Sequence, residues 1–170
     1  FWGNEVNGLI GKTHIAKGVT ISSGISMHIS SGGTAVNTVV ESDAFLYVFD
    51  NGTAKETMIN AEGNLIVSNA GMTMEMMVNS GGSLYVSSGG TANNTIVNRG
   101  GYMTIADGGT ATILFDPWQK GIVVETGATV SYYRDADVFW GNDSRGIVGK
   151  NDSAKAVTIS NGIIMYVYSD

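Results

Sequence analysis

The side chains able to do chemistry in this chain are carboxylates, serines and two histidines. Asp50 and Asp107 fall in the same slot of a repeating pattern that also holds Ser31, Asn69 and Ser88. Three repeat steps separate the two acids, roughly 14 Å if each step is one strand spacing. Carboxylate pairs that cleave glycosidic bonds stand about 5–9.5 Å apart, so this pair is too wide for that work. Asp116, Glu125, Asp135, Asp137 and Asp143 would meet only by folding back on one another, and they read as solvated acids. His14 and His28 are the only histidines and neither has a cysteine or histidine at ligand spacing. No G-x-S-x-G elbow and no glycine-rich phosphate loop occurs. Asp107-Gly108-Gly109 lacks the rest of a calcium-binding nonapeptide. These spacings supply no catalytic residue, no metal site and no cofactor.

Composition points the same way. The chain has 170 residues, room for one ordinary domain, and 43% of them are hydrophobic. Glycine is abundant at 24 residues, proline occurs once, and cysteine is absent. The lack of cysteine excludes a disulfide scaffold, a thiolate metal site and a cysteine nucleophile. A net charge of -6 argues against nucleic acid and against anionic lipid as partners. No apolar run approaches the roughly 18 residues of a membrane helix, so no direct membrane insertion is expected. Phe1-Trp2-Gly3-Asn4-Glu5 has neither the basic nor the apolar region of a signal peptide.

The elements that position these residues are set by a repeat. Ile29-Ser30-Ser31-Gly32-Gly33-Thr34-Ala35 returns in altered form four more times, placing glycine at 33, 52, 71, 90 and 109, steps of 19. A second turn follows the same step at Asp43-Ala44, Glu62-Gly63, Gly81-Gly82 and Gly100-Gly101. Between turns the apolar residues alternate, as in strands. Leu46, Leu65, Leu84 and Met103 hold one slot, and Val48, Val67, Val86 and Ile105 hold the next but one. A 19-residue unit cannot close a core alone, so units must stack. The arrangement that sets like over like is a parallel β-helix, all-β, of about nine turns. Glycine recurs at its corners because positive φ is expected there.

A longer period is superimposed. Phe1-Trp2-Gly3-Asn4 recurs as Phe139-Trp140-Gly141-Asn142, an offset of 138, and Val19-Thr20-Ile21-Ser22 as Val157-Thr158-Ile159-Ser160. Residues 1–170 are expected to be one β-helix fragment, a window cut from a longer array. The 19-residue repeats lie at about 25–114, an irregular segment at 115–138, and a second super-unit begins at 139. Met72, Met74, Met76 and Met77 follow a strand's alternation, two facing in and two out. Trp2, Trp118, Trp140, Tyr132 and Tyr133 are the aromatics outside the regular units, and read as core filling or end capping, with a carbohydrate- or partner-binding patch as the alternative.

Val86-Ser87-Ser88-Gly89-Gly90-Thr91-Ala92-Asn93-Asn94-Thr95-Ile96-Val97-Asn98-Arg99-Gly100-Gly101 resembles the 19-residue repeat of AIDA-type self-associating autotransporters, the family of TibA and antigen 43. The resemblance covers Ile25 to roughly Leu114. It implies a right-handed β-helix passenger on the bacterial cell surface, exported and anchored through an outer-membrane barrel outside this fragment. Adhesion, autoaggregation and biofilm formation follow from the same likeness. So does O-heptosylation of repeat serines by a heptosyltransferase, here at Ser30, Ser31, Ser87 and Ser88 in one turn and Ser42 and Ser80 in the other. Phe49-Asp50-Asn51 and Ser68-Asn69-Ala70 depart from the pattern by losing one or both serines.

The resulting expectation is a non-enzymatic rod that binds itself laterally and a host-cell surface or glycan. The candidate contacts are an outward column with His28, Tyr47 and Tyr85, and a Thr-Asn ladder of Asn37, Thr38, Asn94 and Thr95. The alternative is a solenoid polysaccharide lyase or hydrolase built on the loop carboxylates.

Overall fold

The computed structural model describes residues 7–115, 121–132, 139–140, 145–148 and 164–167. Over residues 7–115 and 121–132 the chain winds as a parallel β-solenoid with two long sheets. Strands β1 (Asn7–Ile10), β4 (Ser26–Ile29), β7 (Phe45–Val48), β10 (Asn64–Val67), β12 (Ser83–Val86), β14 (Tyr102–Ile105) and β16 (Ile122–Val124) stack in that order as the first sheet. The second sheet runs through β2 (Ile15–Lys17), β5 (Thr34–Val36), β8 (Thr53–Lys55), β11 (Met72–Val78), β13 (Thr91–Val97), β15 (Thr110–Phe115) and β17 (Thr129–Tyr132). Short strands β3 (Thr20–Ile21), β6 (Val39–Val40) and β9 (Met58–Ile59) extend it.

Each strand pairs in parallel with the one 19 residues on. Leu46 lies beside Leu65, Leu65 beside Leu84, and Leu84 beside Met103. The coil makes about six turns, not nine. Nine comes from dividing all 170 residues by 19, whereas the described coil covers residues 7–115 and 121–132. At about 4.8 Å per step six turns make a rod near 30 Å long.

The 19-residue beat also runs further than the repeat motif suggests. Met103 pairs with Ile122 and Thr110 with Thr129, both at offset 19. The described part of the segment expected to be irregular, residues 121–132, therefore continues the coil. The slip comes earlier, in β13 against β15, where Thr95 pairs with Ile113 but Ile96 pairs with Phe115. Residues 116–120 and 133–138 lie outside the described residues, as do Trp2, Trp118 and Tyr133. Beyond them, β18 (Phe139–Trp140) pairs antiparallel with β19 (Arg145–Val148), which pairs in parallel with β20 (Ile164–Val167). The register Arg145 to Ile164 repeats that of Asn7 to Ser26, 138 residues earlier. The matched segments Phe1 to Asn4 and Val157 to Ser160 lie outside the described residues.

The core is a set of columns. Met27, Leu46, Leu65, Leu84, Met103 and Ile122 form one, and Ile29, Val48, Val67, Val86 and Ile105 another, all buried. Facing them across the interior are Ala35, Ala54, Ala92 and Ala111, then Ile21, Val40, Ile59, Val78 and Val97. Burying a side chain of Leu, Ile, Val or Met contributes about 1.5–3 kcal/mol against leaving it exposed. Repeated over every coil, that burial outweighs any single surface contact.

Corners obey two different constraints. One slot is left-handed in every coil: Thr13, Gly32, Asn51, Ala70, Gly89, Gly108 and Gly127 all have positive φ. The following slot, Gly33, Gly52, Gly71, Gly90 and Gly109, does not have positive φ, contrary to expectation. There glycine is required by closeness. A Cβ on Gly109 would lie 2.7 Å from the Val86 carbonyl oxygen, and one on Gly90 would press on the carbonyl of Val67. At these five positions the coil below passes too near for a Cβ.

Two substitutions test this arrangement. Leu65→Asp strands a charge in the core and should cost about 3–5 kcal/mol, read as a large fall in melting temperature. A melt within a degree or two of the parent would show that Leu65 does not point inward. Gly90→Ala should cost about 1–3 kcal/mol by overpacking. Gly89→Asn should cost less, because Asn51 already holds that left-handed slot.

Candidate functional site

The outward residues of the first sheet build the most distinctive surface. Register stacks His28 beside Tyr47, Tyr47 beside Ile66, and Ile66 beside Tyr85. The His28 and Tyr47 rings are stacked with centroids 4.8 Å apart and planes 14° apart. Phe45 stacks on Tyr47 at 6.1 Å, and Phe49 meets the edge of His28 at 6.1 Å. Leu9, Tyr85, Tyr102 and Val123 stand exposed along the same sheet. No Asp, Glu, Lys or Arg occurs in β4, β7, β10, β12, β14 or β16. The result is a neutral aromatic face that extends the expected column by Phe45, Phe49 and Tyr102. The period would have revealed these three, since each lies two residues from that column.

The Thr-Asn ladder is corrected. Asn37 and Asn94 do face outward, but Thr38 and Thr95 are fully buried. The cause is a left-handed residue in each coil, Gly18, Asn37, Glu56, Glu75 and Asn94, which bends the strand and reverses its alternation. The residue after the bend turns inward, so Val19, Thr38, Thr57, Met76 and Thr95 share one interior column. The Thr38 and Thr95 hydroxyls have no hydrogen-bond partner there, nor has that of Thr73 in the column of Ala54 and Ala92. The same bend corrects the methionine run. Of its four members only Met76 is buried, while Met72, Met74 and Met77 face out.

The candidate serines also divide. Ser30 is buried, which withdraws it from any enzyme. Ser42 donates a hydrogen bond to Glu62 Oε2 at 2.5 Å. Ser87 is half-buried, whereas Ser31, Ser80 and Ser88 are exposed at the corners. Glycine leaves the last two open. A Cβ on Gly100 would lie 2.6 Å from Ser80 Oγ, and one on Gly108 would lie 2.7 Å from Ser88 Oγ.

One polar file was not anticipated. Asn60 Nδ2 donates to Glu41 Oε2 at 3.1 Å, Asn79 Nδ2 to Asn60 Oδ1 at 3.0 Å, and Asn98 Nδ2 to Asn79 Oδ1 at 2.9 Å. Its signal was present in the 19-residue spacing of these four positions.

Carboxylates stay dispersed. Asp50 and Asp107 sit exposed at equivalent corners three coils apart, and the Asp107 amide donates to Glu125 Oε2 at 3.3 Å. Asp116, Asp135, Asp137 and Asp143 lie outside the described residues. Among the described residues no group of three or more His, Asp or Glu side chains converges to hold a metal ion. No described helix is long and apolar enough to cross a membrane.

Both the repeat and the coil have counterparts among known proteins. Residues 69–113 match a family model described as an adhesin of the bacterial autotransporter system, probable stalk. The whole coil is similar to the crystal structure of a TibC-catalyzed hyper-glycosylated TibA fragment. That likeness has a TM-score of 0.74 and 28% sequence identity over 96% of this chain and 59% of that one. No curated protein matches the chain. The two matches support an AIDA-type autotransporter passenger, folded as a parallel β-solenoid.

The buried threonines carry a testable consequence. Thr95→Val replaces an unpartnered hydroxyl by a methyl in a slot that Val19 already fills. Stability should rise by about 1 kcal/mol, measured by denaturant unfolding. A fall instead would mean that the hydroxyl is hydrogen-bonded in solution.

Proposed function

We propose that this segment is the surface-exposed rod of an exported adhesin, which associates laterally with copies of itself and accepts O-linked sugar on corner serines. The observation that carries the adhesive part is the neutral aromatic face of the first sheet. Aromatic residues are enriched at protein interfaces and charged ones depleted from their cores. His28, Tyr47, Phe45 and Tyr85 offer such a face on a stiff scaffold that loses little entropy on contact. Asn37 and Asn94 add hydrogen-bonding groups on the second sheet. Outside a cell the same face is open to a host surface or glycan.

Support for modification comes from the TibA fragment, which is glycosylated by TibC, and from three exposed corner serines, of which Ser80 and Ser88 each face a glycine of the next coil. Ser31, Ser80 and Ser88 are the preferred acceptors, and a heptosyltransferase is the implied partner. Ser30 and Ser42 are poor acceptors, one buried and the other bonded to Glu62. Peptide mass mapping after co-expression with such a transferase should place sugar on Ser31, Ser80 and Ser88. Sugar found solely outside the 19-residue units would refute that assignment.

Self-association should appear in sedimentation at high concentration and as clumping of cells that display the segment. Tyr47→Ser with Tyr85→Ser should weaken it, with little change in melting because both side chains face outward. Contacts without strong charge should make it only mildly salt-sensitive. Unchanged association in that double variant would remove the first sheet from the interface.

A further inference from the structure

We infer that Met58, Met72, Met74 and Met77 form a peroxide-reactive modification site on the outer surface of the second sheet. Met72 and Met74 face outward on β11 before the Glu75 bend, and Met77 faces outward after it. Met77 pairs in register with Met58, so their side chains are neighbours on adjacent strands. Val39 continues that column below Met58, and Ile96 continues it above Met77. Met58 and Met72 are each 38% exposed. Met27, Met76 and Met103, in contrast, are buried in the core.

The chemistry follows from this split. The chain has no cysteine, so thioethers are its most readily oxidised sulfurs. A sulfur lone pair attacks one peroxide oxygen, the O–O bond breaks, and that oxygen stays on sulfur as a sulfoxide. Hydrogen peroxide is reduced to water in the same two-electron step. Each event turns an apolar side chain into a polar one. Here oxidation of Met58 and Met77 would turn the apolar Val39–Met58–Met77–Ile96 column polar, with Met72 and Met74 reacting beside Thr53 and Lys55, while the core columns keep their thioethers. Core sulfurs react only when the coil opens, which slows them.

Adjacent residues give the sharpest test, because Met76 and Met77 differ by one position and point to opposite sides. The folded protein would be treated with graded hydrogen peroxide and each methionine followed by peptide mass mapping. Met58, Met72, Met74 and Met77 should each gain one oxygen atom roughly tenfold or more faster than Met27, Met76 and Met103. Melting temperature should hold, and retention on a hydrophobic-interaction column should fall as the outer sulfoxides accumulate. The variant Met58→Leu with Met77→Leu should keep more of its retention after the same treatment. Met76 reacting as fast as Met77 would overturn the proposal. So would outer methionines left intact under conditions that oxidise free methionine, or retention that does not change.

Discussion

Everything in this rod depends on one spacing. Backbone amides of each coil meet carbonyls of the coil 19 residues away, at the separation of neighbouring parallel strands. That ladder places like residues above like and leaves no freedom to offset a bulky core residue sideways. It makes the interior a set of columns, Leu46 to Leu65 to Leu84 among them. It also explains why the corner slot from Gly33 to Gly109 carries no side chain: the carbonyl of the coil below already occupies the place of a Cβ. Hydrogen bonds of the Asn60 file contribute about 1 kcal/mol each, less than one buried leucine, so they tune the stack and do not create it.

The interior of the coil was legible because periodicity and packing select the same residues. Leu65 must be apolar on two counts, by alternation along the strand and by its neighbours above and below. The bend was not legible. Its slot holds Gly18, Asn37, Glu56, Glu75 and Asn94, and glutamate carries no signal for left-handed backbone. Simple alternation therefore sent Thr38 outward and would set Met76 on the same face as Met72 and Met74, whereas the bend turns it inward. The stretch at 121–132 escaped for a different reason. It keeps the spacing and the left-handed Gly127, but Ala128 replaces the second glycine by which the repeat was recognised.

The outer surface was the least legible part, since solvent constrains residue type weakly. His28 and Tyr47 were visible through the period, yet nothing in one sequence says that their rings stack at 4.8 Å. Among the serines, small neighbours favour Ser31 and Ser88 from the sequence, but the burial of Ser30 needed coordinates. Ser30 and Ser31 are adjacent in the same motif, yet one is covered and the other stands at a corner. The fold thus converts a uniform motif into unequal chemical environments, and the candidate site emerges from that inequality.

The asparagine file has a direction. Every amide donates toward the preceding coil, and the series begins on the Glu41 carboxylate. A block of 19 residues inserted within the file, carrying asparagine at this slot, would receive one bond and give one bond, leaving both neighbours satisfied. A block of 18 or 20 would leave a broken donor chain and offset the alternation until a slip like that between β13 and β15 absorbs the odd residue. The file therefore works as a length standard on the gene. Rod length can change by whole coils at little cost, while smaller insertions are penalised wherever they fall within the stack.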